Sequence, residues 1–285
     1  MRWLLTMRGM RRVAAHAFAG FASAALLLQT YQAIWNRSVY PRRELVVAFV
    51  VVVAAVAYGV ARAWPPTPVR RRLTHPDCSI KIIAGDLFDQ ARSHLVVGFT
   101  DTFDTDTTDD RIINRSSVQG QFLTRIYDDD RARLDTDLDA ALAGVAPVGV
   151  LTRQEKPLGK TTRYPVGTVA TLGTPQRLFF CVGYSAMSPD LVAQSGPDAL
   201  WYSLGRLWAE AHRRGQRGGI AMAVVGAGLA RVDAVQRPTL IKLILLSFVA
   251  ASRQRVISRE LSIVVPPAEF AELDRLELQE FLDSL

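Results

Sequence analysis

The first quarter of the chain restricts its possible folds more than any other part of the sequence. Residues 13–34 form a run of 22 without a formal charge, and residues 45–61 form another of 17. At about 1.5 Å per helical residue the first run reaches about 33 Å, enough for a hydrocarbon core of ~30 Å. The second run is dense in β-branched residues, which suits a buried strand. It is nevertheless about three times a typical strand's length, which favours a helix. Arginine marks every end: Arg2, Arg8, Arg11 and Arg12 before the first run, Arg37, Arg42 and Arg43 between the two, and Arg62, Arg70, Arg71 and Arg72 after the second. A cleavable signal peptide accounts for the first run but not the second. Two core helices account for both runs but not for the arginines. A helical hairpin in a bilayer accounts for all three, and residues 1–62 are read as that hairpin. Four arginines on each flank, against three in a loop that also holds Glu44, predict both termini on the cytoplasmic side. Trp35, Tyr40 and Trp64 then fall where interfacial aromatics are expected.

His16, Gln29, Thr30 and Gln32 are costly against lipid and should face another helix or water. Gln29 and Gln32 share a helix face. They either snorkel near the outer end or, with Ala17, Gly20 and Ala24 at small-residue spacing, form a face for self-association.

The net charge of +7 suggests a nucleic-acid binder until it is divided along the chain. The first 72 residues hold eleven arginines and one acid, whereas the remainder holds 23 basic and 26 acidic side chains. The bulk of the protein is mildly acidic, which excludes nucleic acid as the expected partner. Cys78 and Cys181, 103 residues apart, give neither a disulfide framework nor metal spacing, so a reducing compartment is expected.

Residues 63–76, with four prolines and three consecutive arginines, read as a semi-rigid spacer whose basic stretch can lie on anionic lipid. From residue 77 to 285, strand-like and helix-like patterns alternate. Strands are predicted at 79–84, 95–99, 166–172, 178–183, 220–225 and 261–265. Helices are predicted at 118–127, 130–143, 198–214, 240–252 and 268–282, with a short helical stretch between the first two strands. The alternation predicts a three-layer α/β domain, whose ligands sit in loops after the strands.

Catalytic constellations are mostly absent. The four histidines show no metal spacing, and no Walker loop or Gly-x-Ser-x-Gly elbow occurs. Gly159-Lys160-Thr161 lacks the earlier glycine of a phosphate loop. Three post-strand loops remain. Gly85-Asp86-Leu87 follows the strand at 79–84, where Asp86 is read first as a helix cap and second as an acceptor for an exocyclic amine. Asp101 to Thr105 is followed by an acidic run and then by Ser116-Ser117-Val118-Gln119-Gly120-Gln121-Phe122. There, hydroxyls and a glycine at a helix start serve equally as an N-cap or an anion site. Gly226-Ala227-Gly228 follows the strand at 220–225, and its amides can approach a phosphate.

Taken in that order, the three loops resemble the macro domain, a fold that binds ADP-ribose, over about residues 79–266. More narrowly, Phe103-Asp104-Thr105 followed by residues 116–122, behind two apolar helices, is similar to the membrane-anchored macro-domain effectors of type II Thoeris antiphage systems. The resemblance implies two transmembrane helices followed by a macro-like α/β domain with a mixed sheet, in the bacterial inner membrane. It implies a ligand-gated effector rather than an enzyme, with no cofactor or metal. The signal would be an ADP-ribose derivative, a histidine conjugate, made by a TIR-domain partner. The output would be homo-oligomerisation, damage to the cell's own lipid bilayer and abortive infection.

By position, Asp86 would meet the adenine amine, with the Leu87 backbone beside it. Ser117, Gly120 and Gln121 would approach the pyrophosphate or distal ribose. Gly226, Ala227, Gly228, Leu229 and Ala230 would cradle the phosphates, and Asp104 and Thr105 would line the distal end. Residues 98–101 (Gly-Phe-Thr-Asp) stand where hydrolytic macro domains carry Asn-Ala-Ala-Asn, and no triple glycine follows, which favours binding over hydrolysis. The alternatives are a membrane-tethered ADP-ribose hydrolase using Asp104, an ADP-ribosyl-protein reader, or a scaffold using the C-terminal helix with Phe270, Leu273, Leu276 and Phe281.

Overall fold

The structure is a computed structural model that describes residues 7–35, 44–62, 68–227 and 235–285. The chain divides into two compact units, a helical hairpin and an α/β domain that begins at Pro68.

In the hairpin, α1 (Met7–Trp35) packs along α2 (Glu44–Arg62). The contact is close because Gly59 has no side chain: a Cβ there would lie 2.7 Å from the Val13 carbonyl oxygen and 2.9 Å from Ala17. Gly20 likewise lies against the Tyr58 ring. Ala17 and Gly20, at the small-residue spacing that supports close helix packing, bring α1 onto α2, as small residues do in apolar surroundings. Gln29 and Gln32 are exposed on the hairpin, while the Thr30 hydroxyl donates to the Leu26 carbonyl at 2.8 Å and is satisfied within its own helix. Among the described residues, Gly9–Ile34 is the one helix long and apolar enough to cross a membrane by length and composition; Val46–Arg62 is apolar but shorter. Residues 36–43 of the connecting loop lie outside the described residues.

The α/β domain is built on a mixed sheet of order β1-β2-β10-β9-β3-β7-β6. Its strands are β1 (Val69–Thr74), β2 (Asp77–Ala84), β3 (His94–Thr100), β6 (Val169–Thr174), β7 (Arg177–Met187), β9 (Ile220–Met222) and β10 (Glu260–Val265). The central strands β2, β10, β9, β3 and β7 run parallel, and β1 and β6 close the edges antiparallel. A short β8 (Ala193–Gln194) adds to β7, and β4 (Gly149–Val150) pairs separately with β5 (Thr162–Arg163).

Parallel strands need helices on both faces, and the sequence supplies them. Among the described residues the hairpin is followed by α3 (Val118–Ile126), α4 (Arg131–Leu142), α5 (Pro197–Arg214), α6 (Arg237–Gln254), α7 (Pro267–Glu272) and α8 (Arg275–Ser284). On one face α5 and α6 bury Leu200, Leu204, Leu207, Trp208, Leu240 and Phe248 against Val96, Ile263 and Val265. On the other, α3 and α4 bury Phe122, Leu134 and Leu138 against Leu95, Val97, Phe99 and Val264. Alternate residues of β3 and β10 thus enter opposite cores, which is the period-two geometry of a strand covered on both sides.

Among the described residues, β9 ends at Met222 instead of 225, the two-residue strands β4, β5 and β8 are additions, and three larger differences from the sequence expectation follow. Residues 69–74, read as spacer, form edge strand β1 in register with β2, from Val69 opposite Ile82 to Thr74 opposite Asp77. Val69 and Leu73 are buried, and Arg71 between them points the same way but carries its guanidinium out to the Leu282 carbonyl at 2.7 Å. The stretch between β2 and β3 is a series of turns rather than a helix, held by the Asp86 carboxylate accepting from the Phe88 amide. The expected C-terminal helix breaks at Leu273, whose backbone is extended, and restarts where the Asp274 carboxylate caps the amides of Leu276 and Glu277.

Candidate ligand cleft at the strand ends

The C-terminal ends of β3, β7, β9 and β10 converge on a cavity of about 430 Å³, within the range of small-molecule sites. Its floor is Val96 and the end of β3 from Gly98 to Thr100. One wall is formed by residues 112–121 at the start of α3, and the other by residues 223–227 after β9. Tyr184, Ser185 and Met187 of β7 line it from the side, and Pro266, Arg237 and Glu269 form its rim.

The wall after β9 is a tight turn. The Ala227 amide donates to the Val224 carbonyl at 3.3 Å, and Gly226 sits at a φ of +84°, the left-handed position that a type II turn reserves for glycine. The Gly226 amide donates to the Tyr184 hydroxyl, whose pKa burial pushes up to about 12 against that bond's opposing pull. Tyr184 fits because Gly98 faces it: a Cβ on Gly98 would lie 2.6 Å from the Tyr184 ring. Gly98 therefore makes room for the Tyr184 ring at the side of the cavity.

The opposite wall is the N-terminus of α3. The Ser117 hydroxyl accepts from the Gly120 amide at 3.0 Å and donates to the Asn114 carbonyl at 2.6 Å, so this side chain is committed as a cap. The amides of Val118 and Gln119 are then the first-turn donors without a helical partner. Gly120 is buried and serves packing, because a Cβ there would collide with the backbone of Asn114 and Arg115. Gln121 lines the cavity while its side-chain Nε2 donates to the Ser116 carbonyl at 2.8 Å.

Of the residues singled out in the sequence, the fold brings Ser117, Gln121, Gly226 and Ala227 together on this cavity. Gly228, Leu229 and Ala230 lie outside the described residues. Asp86 and Leu87 are not among the lining residues; Asp86 is held by the Arg125 guanidinium and caps the Phe88 amide.

Asp104 and Thr105 are buried elsewhere. The Asp104 carboxylate accepts from Lys156 Nζ at 2.5 Å, from the Lys160 amide at 2.6 Å and from the Thr102 hydroxyl at 2.5 Å, while Thr105 donates to Asp135 at 2.7 Å. Phe103, wholly buried, stacks on Phe99. Asp104 thus staples the 149–163 segment to the loop after β3, and Thr105 ties that loop to α4, instead of either lining the cleft. The residues missed in the sequence are Tyr184, Met187, Arg237 and Glu269, which approach only through strand pairing and helix packing and leave no local signal. Cys181 is wholly buried with its thiol pKa raised by burial, and burial together with Asp77 lifts Cys78 to about 11, so neither is a ready thiolate.

Residues 80–266, about two thirds of the chain, match the family described as "Thoeris protein ThsA, Macro domain". The chain is similar to the Thoeris protein ThsA of Bacillus amyloliquefaciens (strain Y2), with 28% identity over 155 residues, 53% of this chain and 50% of that protein. It therefore spans about half the length of that relative. Among solved structures it is similar to a point mutant of the Oceanobacillus iheyensis macrodomain, with a TM-score of 0.50 and 11% identity, covering 76% of this chain and 99% of the other. A second mutant of the same macrodomain gives a TM-score of 0.48 and 11% identity over 77% of this chain and 96% of the other. At 11% identity the likeness to the first of these concerns the fold.

Proposed function

The chain belongs to the ThsA macro-domain family of Thoeris antiphage proteins, and from that premise we propose that its α/β domain senses an ADP-ribose-derived signal and its hairpin acts on the membrane. The observation that carries this reading is the cleft at the strand ends, with a glycine turn on one wall and the free first-turn amides of α3 on the other. Backbone amides and a helix N-terminus are the groups that hold a pyrophosphate. The apolar floor of Val96, Phe99 and Tyr184 suits the flat parts of a nucleotide. Gln121, Gly226 and Ala227 are the assigned contacts, Ser117 shapes the wall as the cap of α3, and Gly228, Leu229 and Ala230 are the further candidates from the sequence.

A histidine conjugate of ADP-ribose, supplied by a TIR-domain enzyme, is the signal this reading expects. Both helices of the hairpin lie in the bacterial inner membrane with both termini cytoplasmic; α2, with 19 residues, reaches about 28 Å, close to the hydrocarbon thickness. Ligand shifts the population of an assembled, membrane-disrupting state only by as much as it binds that state better. The hydrolase reading is less well supported, because Asp104, its acid or base, is buried in an ion pair away from the cleft lining.

The test is dye release from vesicles holding the full chain. Release on addition of histidine-ADP-ribose, and none without it, is the expected result. Intact vesicles at saturating ligand would overturn the effector reading.

A further inference from the structure

The cleft's described lining holds one cation and one carboxylate, and they face each other: the Arg237 guanidinium meets Glu269 at 3.0 Å, with both side chains partly exposed. Arg237 opens α6 directly after the loop that follows β9, and Glu269 sits on α7 after β10. The pair spans the rim between the two strand ends where the phosphate turn begins.

A neutral pair at the mouth of a pocket for a doubly charged diphosphate poses a question of exchange. Arginine binds phosphate by parallel charge-assisted hydrogen bonds, whereas a partly exposed carboxylate partner contributes little in water. We infer that Arg237 is the side chain that recognises the ligand's anionic group, and that Glu269 competes for it, covering the cleft when it is empty and being displaced when a diphosphate enters. This rests on the sensor reading for the identity of the ligand. Its chemistry, an anion exchanging for a carboxylate on one arginine, can be tested without it.

The competition makes a prediction of opposite signs. With the full chain in nanodiscs and ADP-ribose as the calorimetric probe, Arg237→Gln should weaken binding about tenfold or more, the usual effect of losing a charged hydrogen bond. Glu269→Gln should tighten binding about two- to fivefold, the worth of a partly exposed ion pair. In the Arg237→Gln background, Glu269→Gln should change nothing. Thermal midpoints of all three variants close to that of the parent chain establish that they fold.

Weaker binding in Glu269→Gln alone, which would mean that the carboxylate contacts the ligand itself, overturns the exchange, as does unchanged binding in Arg237→Gln. If the parent chain takes up neither ADP-ribose nor histidine-ADP-ribose, the sensor reading fails and inorganic pyrophosphate decides the inference. Binding lost in Arg237→Gln supports it, and binding absent or insensitive to that change overturns it.

Discussion

At the scale of single residues the least expected pair is Asp104 with Lys156, both wholly buried and 2.5 Å apart. Removing two charges from water costs several kcal/mol per ion and is repaid only where each finds further hydrogen bonds. Here the carboxylate also takes the Thr102 hydroxyl and the Lys160 amide, and the ammonium also reaches the Lys160 carbonyl at 2.6 Å. Replacing Lys156 with methionine strands the carboxylate. The expected loss is about 3–5 kcal/mol, read as a fall in the urea midpoint, and adding Asp104→Asn should restore much of it. A single-variant loss below about 1 kcal/mol would contradict the burial. The sequence displays Asp104 in a motif but gives no hint of its partner 52 residues away. A lysine beside Pro157 and Gly159 reads as a surface loop, and only the closed fold makes it a core residue. Gly98 is similar: its departure from the hydrolytic pattern is visible in the sequence, but its cause, the Tyr184 ring, comes from a strand paired alongside.

Secondary-structure elements were legible where the pattern was apolar and failed where charge masked it. The amphipathic face of α5 and the apolar runs of β3, β7 and β10 follow directly from their spacing. Strand β1 did not, because Val-Arg-Arg-Arg-Leu-Thr looks like a basic linker although Val69 and Leu73 lie on one side of a strand. Its outer edge is closed by α8: the Gln279 side-chain amide accepts from the Arg70 amide and donates to the Arg70 carbonyl, both at 3.2 Å, imitating a neighbouring strand. Edges left unpaired invite association with other chains. A fragment starting at residue 77 should therefore melt lower and aggregate more readily than one starting at residue 68, as measured by thermal scanning and light scattering. Equal behaviour of the two fragments would show that β1 is dispensable.

For the molecule as a whole, alternation of elements predicts three layers, but the sheet order depends on contacts that no local pattern contains. The last strand, β10, enters between β2 and β9, and by doing so carries Pro266 and Glu269 to the cleft. The charge division was plain in the sequence, but with Arg70, Arg71 and Arg72 in β1 the α/β domain from residue 68 holds 26 basic and 26 acidic side chains, and the whole excess of +7 precedes it. The small residues of α1 were visible too, yet spacing alone does not say whether the helix they accommodate belongs to the same chain, and Gly59 supplies that answer. Everything proposed for the molecule depends on what enters the cavity at the strand ends. A structure of the full chain determined with ADP-ribose tests this most directly. The account predicts the diphosphate against the first-turn amides of Val118 and Gln119 and beside the Gly226 turn, with Arg237 turned from Glu269 toward it. Nucleotide bound elsewhere, or a cleft still empty at saturating ligand, would contradict it.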